Sequence, residues 1–117
     1  IPGDGDCLAA SLKLALGLEE DVTELRSFAR QTLKMDPRLE HVRQGLHEIG
    51  TFEKVLQDVQ TPGAWLGEEF LRAMSVIYQI TIHIFASSGV TIVAEGTLSR
   101  IVLLAYNGVH YSPLVPL

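Results

Sequence analysis

The sequence predicts an α+β domain in which a small, mostly antiparallel sheet is packed between helices. Three observations predict it. Through residue 78 the apolar residues recur at helical spacing, with Pro and Gly at the breaks. From Ile80 the period falls to two, as Ile80, Ile82 and Ile84 alternate with Thr81, His83 and Phe85. The order, helices first and strands last, belongs to segregated α+β domains rather than to alternating βαβ ones. The 117 residues, 47% hydrophobic and 20% charged, suit a single domain over 1–117, with no repeat, low-complexity segment or internal boundary.

The first helix begins at Cys7 and runs through Leu8-Ala9-Ala10-Ser11-Leu12-Lys13-Leu14-Ala15-Leu16, strong helix formers throughout. Gly3-Asp4-Gly5-Asp6 precedes it as a turn, with Asp6 as the expected N-cap and Gly17 as the stop. Asp21-Val22-Thr23-Glu24 reads as a capping box for a second helix carrying Val22, Leu25, Phe28, Ala29 and Leu33 to about Met35. Asp36-Pro37 ends it. Leu39, Val42, Leu46 and Ile49 predict a third helix closed by Gly50, and Thr51 caps a fourth with Phe52, Val55, Leu56 and Val59 inward. Trp65-Leu66-Gly67-Glu68-Glu69 leads into a fifth with Phe70, Leu71, Met74, Ile77 and Tyr78 on its inner side.

The strand region follows. Ser87-Ser88-Gly89 turns the first strand into Val90–Ala94 as a hairpin. Ile101–Tyr106 is apolar on both faces and reads as a buried central strand. Asn107-Gly108 is a turn signal, returning the chain along Val109-His110-Tyr111-Ser112 as a last short strand.

Composition narrows the functional classes. A net charge of −5 offers no basic stripe for phosphates, so no nucleic-acid partner is expected; a basic partner or substrate fits better. No apolar run approaches the ~20 residues of a membrane helix, and no basic-then-apolar leader is visible. A single cysteine cannot make an internal disulfide, which suits the cytoplasm. His41, His47 and His83 lack metal-ligand spacing, so no metal and no cofactor is expected. Oligomeric state is not legible.

Cys7 taken alone reads as a small buried hydrophobe. Its place at a helix N-terminus, where unpaired N–H groups and the macrodipole favour a thiolate, points instead to a nucleophile. A thiol hydrolase needs that sulfur, an imidazole and N–H donors for an oxyanion; His110 is the candidate base and the Gly-Asp-Gly-Asp turn a candidate anion nest.

Both ends together resemble the ovarian-tumour (OTU) family of cysteine deubiquitinases. The resemblance is carried by Asp4-Gly5-Asp6-Cys7-Leu8, by Trp65-Leu66-Gly67-Glu68-Glu69-Phe70-Leu71 with Ala73-Met74-Ser75, by Ile80-Thr81-Ile82-His83-Ile84, and by His110-Tyr111. The motifs occur in the family's order and span nearly the whole chain. The resemblance implies a papain-like OTU protease fold, Cys7 as nucleophile, His110 as base, and Asp4 shaping the loop. It implies an oxyanion site from the N–H groups of Cys7 and of Gly5 or Asp6. It places Trp65, Gly67 and Tyr111 near the channel for a ubiquitin or ubiquitin-like tail, in the host cytosol if the protein is viral or a bacterial effector. Two departures stand out. Ser112 replaces the Asp or Asn common two residues after the histidine, leaving Ser112, Asn107, a backbone carbonyl, an upstream acid outside this chain or a bare dyad to orient the imidazole. Ala9 replaces the usual aromatic. Rival readings are a viral polyprotein-processing protease, a weakly active or inactive ubiquitin-binding OTU-like domain, and an unrelated interaction domain with an inert thiol.

Overall fold

A computed structural model describes residues 5–95 and 100–114. Among these residues five helices come first: α1 (Cys7–Leu16), α2 (Val22–Met35), α3 (Glu40–Glu48), α4 (Phe52–Gln60) and α5 (Glu68–Tyr78), with a 3-10 turn at Pro37–Leu39. Four strands follow: β1 (Ile80–Ala86), β2 (Gly89–Ala94), β3 (Arg100–Tyr106) and β4 (Tyr111–Pro113). The α+β class and the element order are those the sequence predicts.

Most boundaries have the expected cause. Asp21 Oδ1 accepts the Glu24 N–H at 2.8 Å while Glu24 Oε1 accepts the Asp21 N–H at 3.2 Å, a complete capping box at the start of α2. Thr51 behaves differently. Its backbone sits at φ −111°, ψ 2° rather than in the extended region that lets a side chain reach back to the first turn, and its hydroxyl is buried with no hydrogen-bond partner. At the other end of the helical half, Gln79 takes a left-handed φ of 54°, and the next residue already belongs to β1. The buried Ser75 hydroxyl stitches this switch together, donating to Ile80 O at 2.6 Å and accepting the Glu95 N–H at 2.9 Å.

The sheet order is β2-β1-β3-β4. β1 pairs antiparallel with β2, and β3 antiparallel with β4, while β1 and β3 are parallel. The parallel pair follows from the hairpin: β2 carries the chain back beside the start of β1, and β3 sets out again in the same direction. Ile80, Ile82 and Ile84 of β1, Val93 of β2, and Val102 and Leu104 of β3 form one buried face. They share a core with Leu8 and Leu12 of α1 and Phe70, Leu71 and Met74 of α5. Behind α5, α2 contributes Leu25, Ala29 and Leu33 and also lies against α4.

β3 corrects an expectation. It is an inner strand, but only one of its faces is buried: Ile101 is 59% exposed while Leu104 is fully covered. The register puts Ile101 and Leu103 beside Thr81 and His83, and Val90 and Ile92 lie on that same outer face. The helices that touch the sheet, α1 and α5, cover the other side.

Candidate active site

Cys7 is the first residue of α1 and is fully buried. Ala10 is the first residue whose N–H finds a carbonyl within the helix, Asp6 O at 2.9 Å. The N–H groups of Cys7, Leu8 and Ala9 therefore stand at the open end of the helix, without intrahelical acceptors. Asp6 occupies the N-cap position but does not cap them. Its backbone is helical (φ −85°, ψ −5°) and its side chain makes no cap hydrogen bond. A capping carboxylate needs an extended backbone to turn back over the first turn. Asp6 points elsewhere.

Its partner is Arg26 of α2, whose side chain is 1% exposed. Asp6 Oδ1 accepts from Arg26 Nε at 2.8 Å and lies 2.6 Å from Nη2; it also accepts the Gly63 N–H at 3.2 Å. The same guanidinium donates to Gly5 O, to Ala64 O, and to Asp58 O and Val59 O in the last turn of α4. A buried cation is tolerable only when so fully paired. Arg26 is not among the site residues expected from the sequence, although the sequence carries a signal for it. It falls four residues after Val22 and three before Ala29, inside the apolar stripe of α2, where a charge must find buried partners.

Gly5 lies where the loop before Cys7 crosses the segment after α4. A Cβ built on it would overlap backbone atoms of Gly63 and Ala64. Only a glycine lets the two loops approach this closely.

On the other side of Cys7 stands β4. The Tyr111 N–H donates to Cys7 Sγ at 3.5 Å. Tyr111 faces Tyr106 across the β3–β4 ladder, so an N–H given to Cys7 points off the free edge of β4, where the start of α1 lies. The sulfur thus sits one residue along the chain from His110, which is partly buried. His110 does not lie on the strand as expected: β4 begins at Tyr111, and His110 closes the preceding turn. Asn107 builds that turn. Its Oδ1 accepts the N–H groups of Val109 at 3.0 Å and His110 at 2.7 Å, its own N–H donates to His110 O at 3.1 Å, and Gly108 adopts φ 99°. Asn107 therefore grips the histidine by its backbone. Tyr106 and Tyr111 stack with ring centroids 4.4 Å apart. Burial, then the nearby Tyr106 and Cys7, push the Tyr111 phenol above its usual range, so it stays neutral at the site.

The remaining predicted residues are spread around this centre. Trp65 is 54% exposed on the segment leading to α5, while its neighbour Leu66 is the buried one. Gly67 is the N-cap residue of α5. Tyr111 lines a cavity of about 290 Å³ with Glu68, Leu71, Ile84, Thr91 and Tyr106. Ser112 is partly buried on β4 opposite Ala105. Asp4 lies outside the described residues. His41 is largely exposed and lies 3.1 Å from Glu95 Oε2, and Glu95 also pairs with Arg72. His47 packs on Phe52. The fold thus brings together Gly5, Asp6, Cys7 and the turn that bears His110.

The family model described as OTU-like cysteine protease matches residues 2–111. The chain belongs to the OTU family. Its fold is also that of solved OTU domains. The OTU domain of OTUD1 superposes with a TM-score of 0.76 at 20% identity, over 99% of this chain and 82% of that one. The viral OTU domain protease from Dera Ghazi Khan virus gives 0.74 at 18% identity, over 97% and 76% of the two chains. The OTU deubiquitinase from Wolbachia pipientis wMel, solved bound to ubiquitin, gives 0.71 at 14%, over 97% and 91%. Among curated protein sequences no significant match is found.

Proposed function

We propose that this OTU domain is a thiol-dependent deubiquitinase that hydrolyses isopeptide or peptide bonds after the C-terminal glycine of ubiquitin or a ubiquitin-like modifier. One observation carries the reading: the Tyr111 N–H on Cys7 Sγ, which sets the only cysteine beside the turn that holds His110. In the proposed course, Cys7 as thiolate attacks the glycine carbonyl carbon and a C–S bond forms. The carbonyl oxygen becomes an oxyanion facing the N–H groups at the start of α1, with Asp4 shaping the loop that leads there. Collapse breaks the C–N bond, and the amine leaves with the proton held by His110. His110 then takes a proton from water, which attacks the thioester and releases the carboxylate and the thiol. Trp65, Gly67 and Tyr111 border the path of the tail. A ubiquitin-bound relative of the same fold supports this substrate class.

Turnover of ubiquitin bearing a fluorogenic amide at its C-terminus tests the reading. The wild type should release the fluorophore. Asn107→Ala should lower kcat about tenfold with little change in KM, because a base freed from its backbone anchor is misplaced. Ser112→Ala, measured in parallel, separates a hydroxyl that orients the imidazole (slower release) from a Cys7–His110 dyad (unchanged release). A wild type that binds ubiquitin without turnover would favour the ubiquitin-binding reading. Cleavage of viral polyprotein junctions in preference to ubiquitin would favour the processing protease.

A further inference from the structure

We infer that Arg26 is a positioning residue that sets the orientation of the Gly5–Asp6 peptide, and through it the donors that face the reacting carbonyl. The inference rests on the acyl-transfer reading of Cys7. Arg26 Nη2 donates to Gly5 O at 3.3 Å and to Ala64 O at 2.5 Å, while Nε donates to the Asp6 carboxylate at 2.8 Å. Its Nη1 donates to Asp58 O and Val59 O, both at 3.1 Å. The guanidinium is therefore anchored on the carbonyl-rich C-terminal end of α4, where the helix dipole favours a cation, and reaches from there to the two residues before the nucleophile.

In a trans peptide the C=O and the following N–H point in opposite directions, and no cis peptide occurs among the described residues. Holding the Gly5 carbonyl toward Arg26 therefore turns the Asp6 N–H away from it. Gly5 is the residue type whose peptide flips at least cost, so that orientation needs an external hold. Flipping the unit would turn the Gly5 carbonyl oxygen to the side that the Asp6 N–H now faces, and an acceptor beside the reacting carbonyl opposes an oxyanion. A lysine would keep a positive charge opposite Asp6. It lacks the planar fork that serves carboxylate and carbonyls together.

Two reactions of the same sulfur separate positioning from general damage. Hydrolysis of the ubiquitin amide passes through an oxyanion. Alkylation by iodoacetamide forms a C–S bond with loss of iodide and passes through none. For Arg26→Gln we expect kcat for the ubiquitin amide to fall about 10²- to 10³-fold, the loss of one preorganised donor, with KM within about threefold. Cys7 alkylation should be no slower than about a third of the wild-type rate, or faster where the loosened loop uncovers the sulfur. Arg26→Lys, which keeps the buried charge paired and protects against failure to fold, should show the same split at smaller amplitude. Parallel loss of both reactions in Arg26→Lys, or its turnover at the wild-type rate, would overturn the inference. A wild type that alkylates at Cys7 but never turns over the ubiquitin amide would overturn the deubiquitinase reading itself, and the inference would fall through the wild type rather than through the variants.

Discussion

Cys7→Ala is expected to lower kcat/KM for a ubiquitin substrate by roughly 10⁴- to 10⁶-fold, the range seen when the nucleophile of a nucleophile–base pair is removed. His110→Ala should cost nearly as much. The double variant should be little worse than either single one, because nucleophile and base act as a unit and their losses do not add. The fold should survive. Cys7 is a small side chain at the edge of the core, and its backbone carbonyl, which accepts the Ser11 hydroxyl at 2.7 Å, is untouched by the change. Steady-state kinetics with matched circular-dichroism melts would check both halves. Additive losses would separate Cys7 from His110, and the proposed chemistry would then lack its base.

Gly5→Ala carries the second large effect, from geometry rather than chemistry. The added Cβ would overlap the backbone at Gly63 and Ala64, which no side-chain rotation can relieve. The loop before Cys7 and the segment after α4 must separate, and the hydrogen bonds of Arg26 and the Gly63–Asp6 bond must stretch with them. Overpacking of this kind typically costs about 1–3 kcal/mol of stability. Activity should suffer more. A shift of about 1 Å in a positioned donor costs on the order of 100-fold in rate. Chemical denaturation and kcat measured on one preparation would show the disproportion. A kcat that falls no further than the loss of folded protein would contradict it.

How much of this was legible in the sequence depends on the range of the interaction. Helix and strand boundaries rest on neighbours a few residues apart, and the Asp21–Glu24 capping box and the Asn107-Gly108 turn read true for that reason. The switch from period 3.6 to period 2 after Tyr78 announced the sheet. The parallel pairing of β1 with β3 did not show, because it depends on where a hairpin leaves the chain rather than on local residue preference. Nor did the one-sided burial of β3: apolar residues on both faces record what a strand could bury, while among the described residues the helices cover one face. At the candidate site, the place of Cys7 at a helix start was legible from the apolar run that follows it, and the turn before His110 from Asn107-Gly108. Asp6 was misread as a cap because its true partner, Arg26, lies 20 residues away on another helix. The side chain that ties this loop to its surroundings, Arg26 of α2, was thus the one that sequence distance hid.

Mass spectrometry of the protein after exposure to ubiquitin carrying a C-terminal electrophile tests the assignment of Cys7 most directly. A single covalent ubiquitin adduct, mapped to Cys7 in the wild type and absent from Cys7→Ala, is the predicted result. A wild type that binds the probe without forming an adduct, or an adduct that persists in Cys7→Ala, would contradict it.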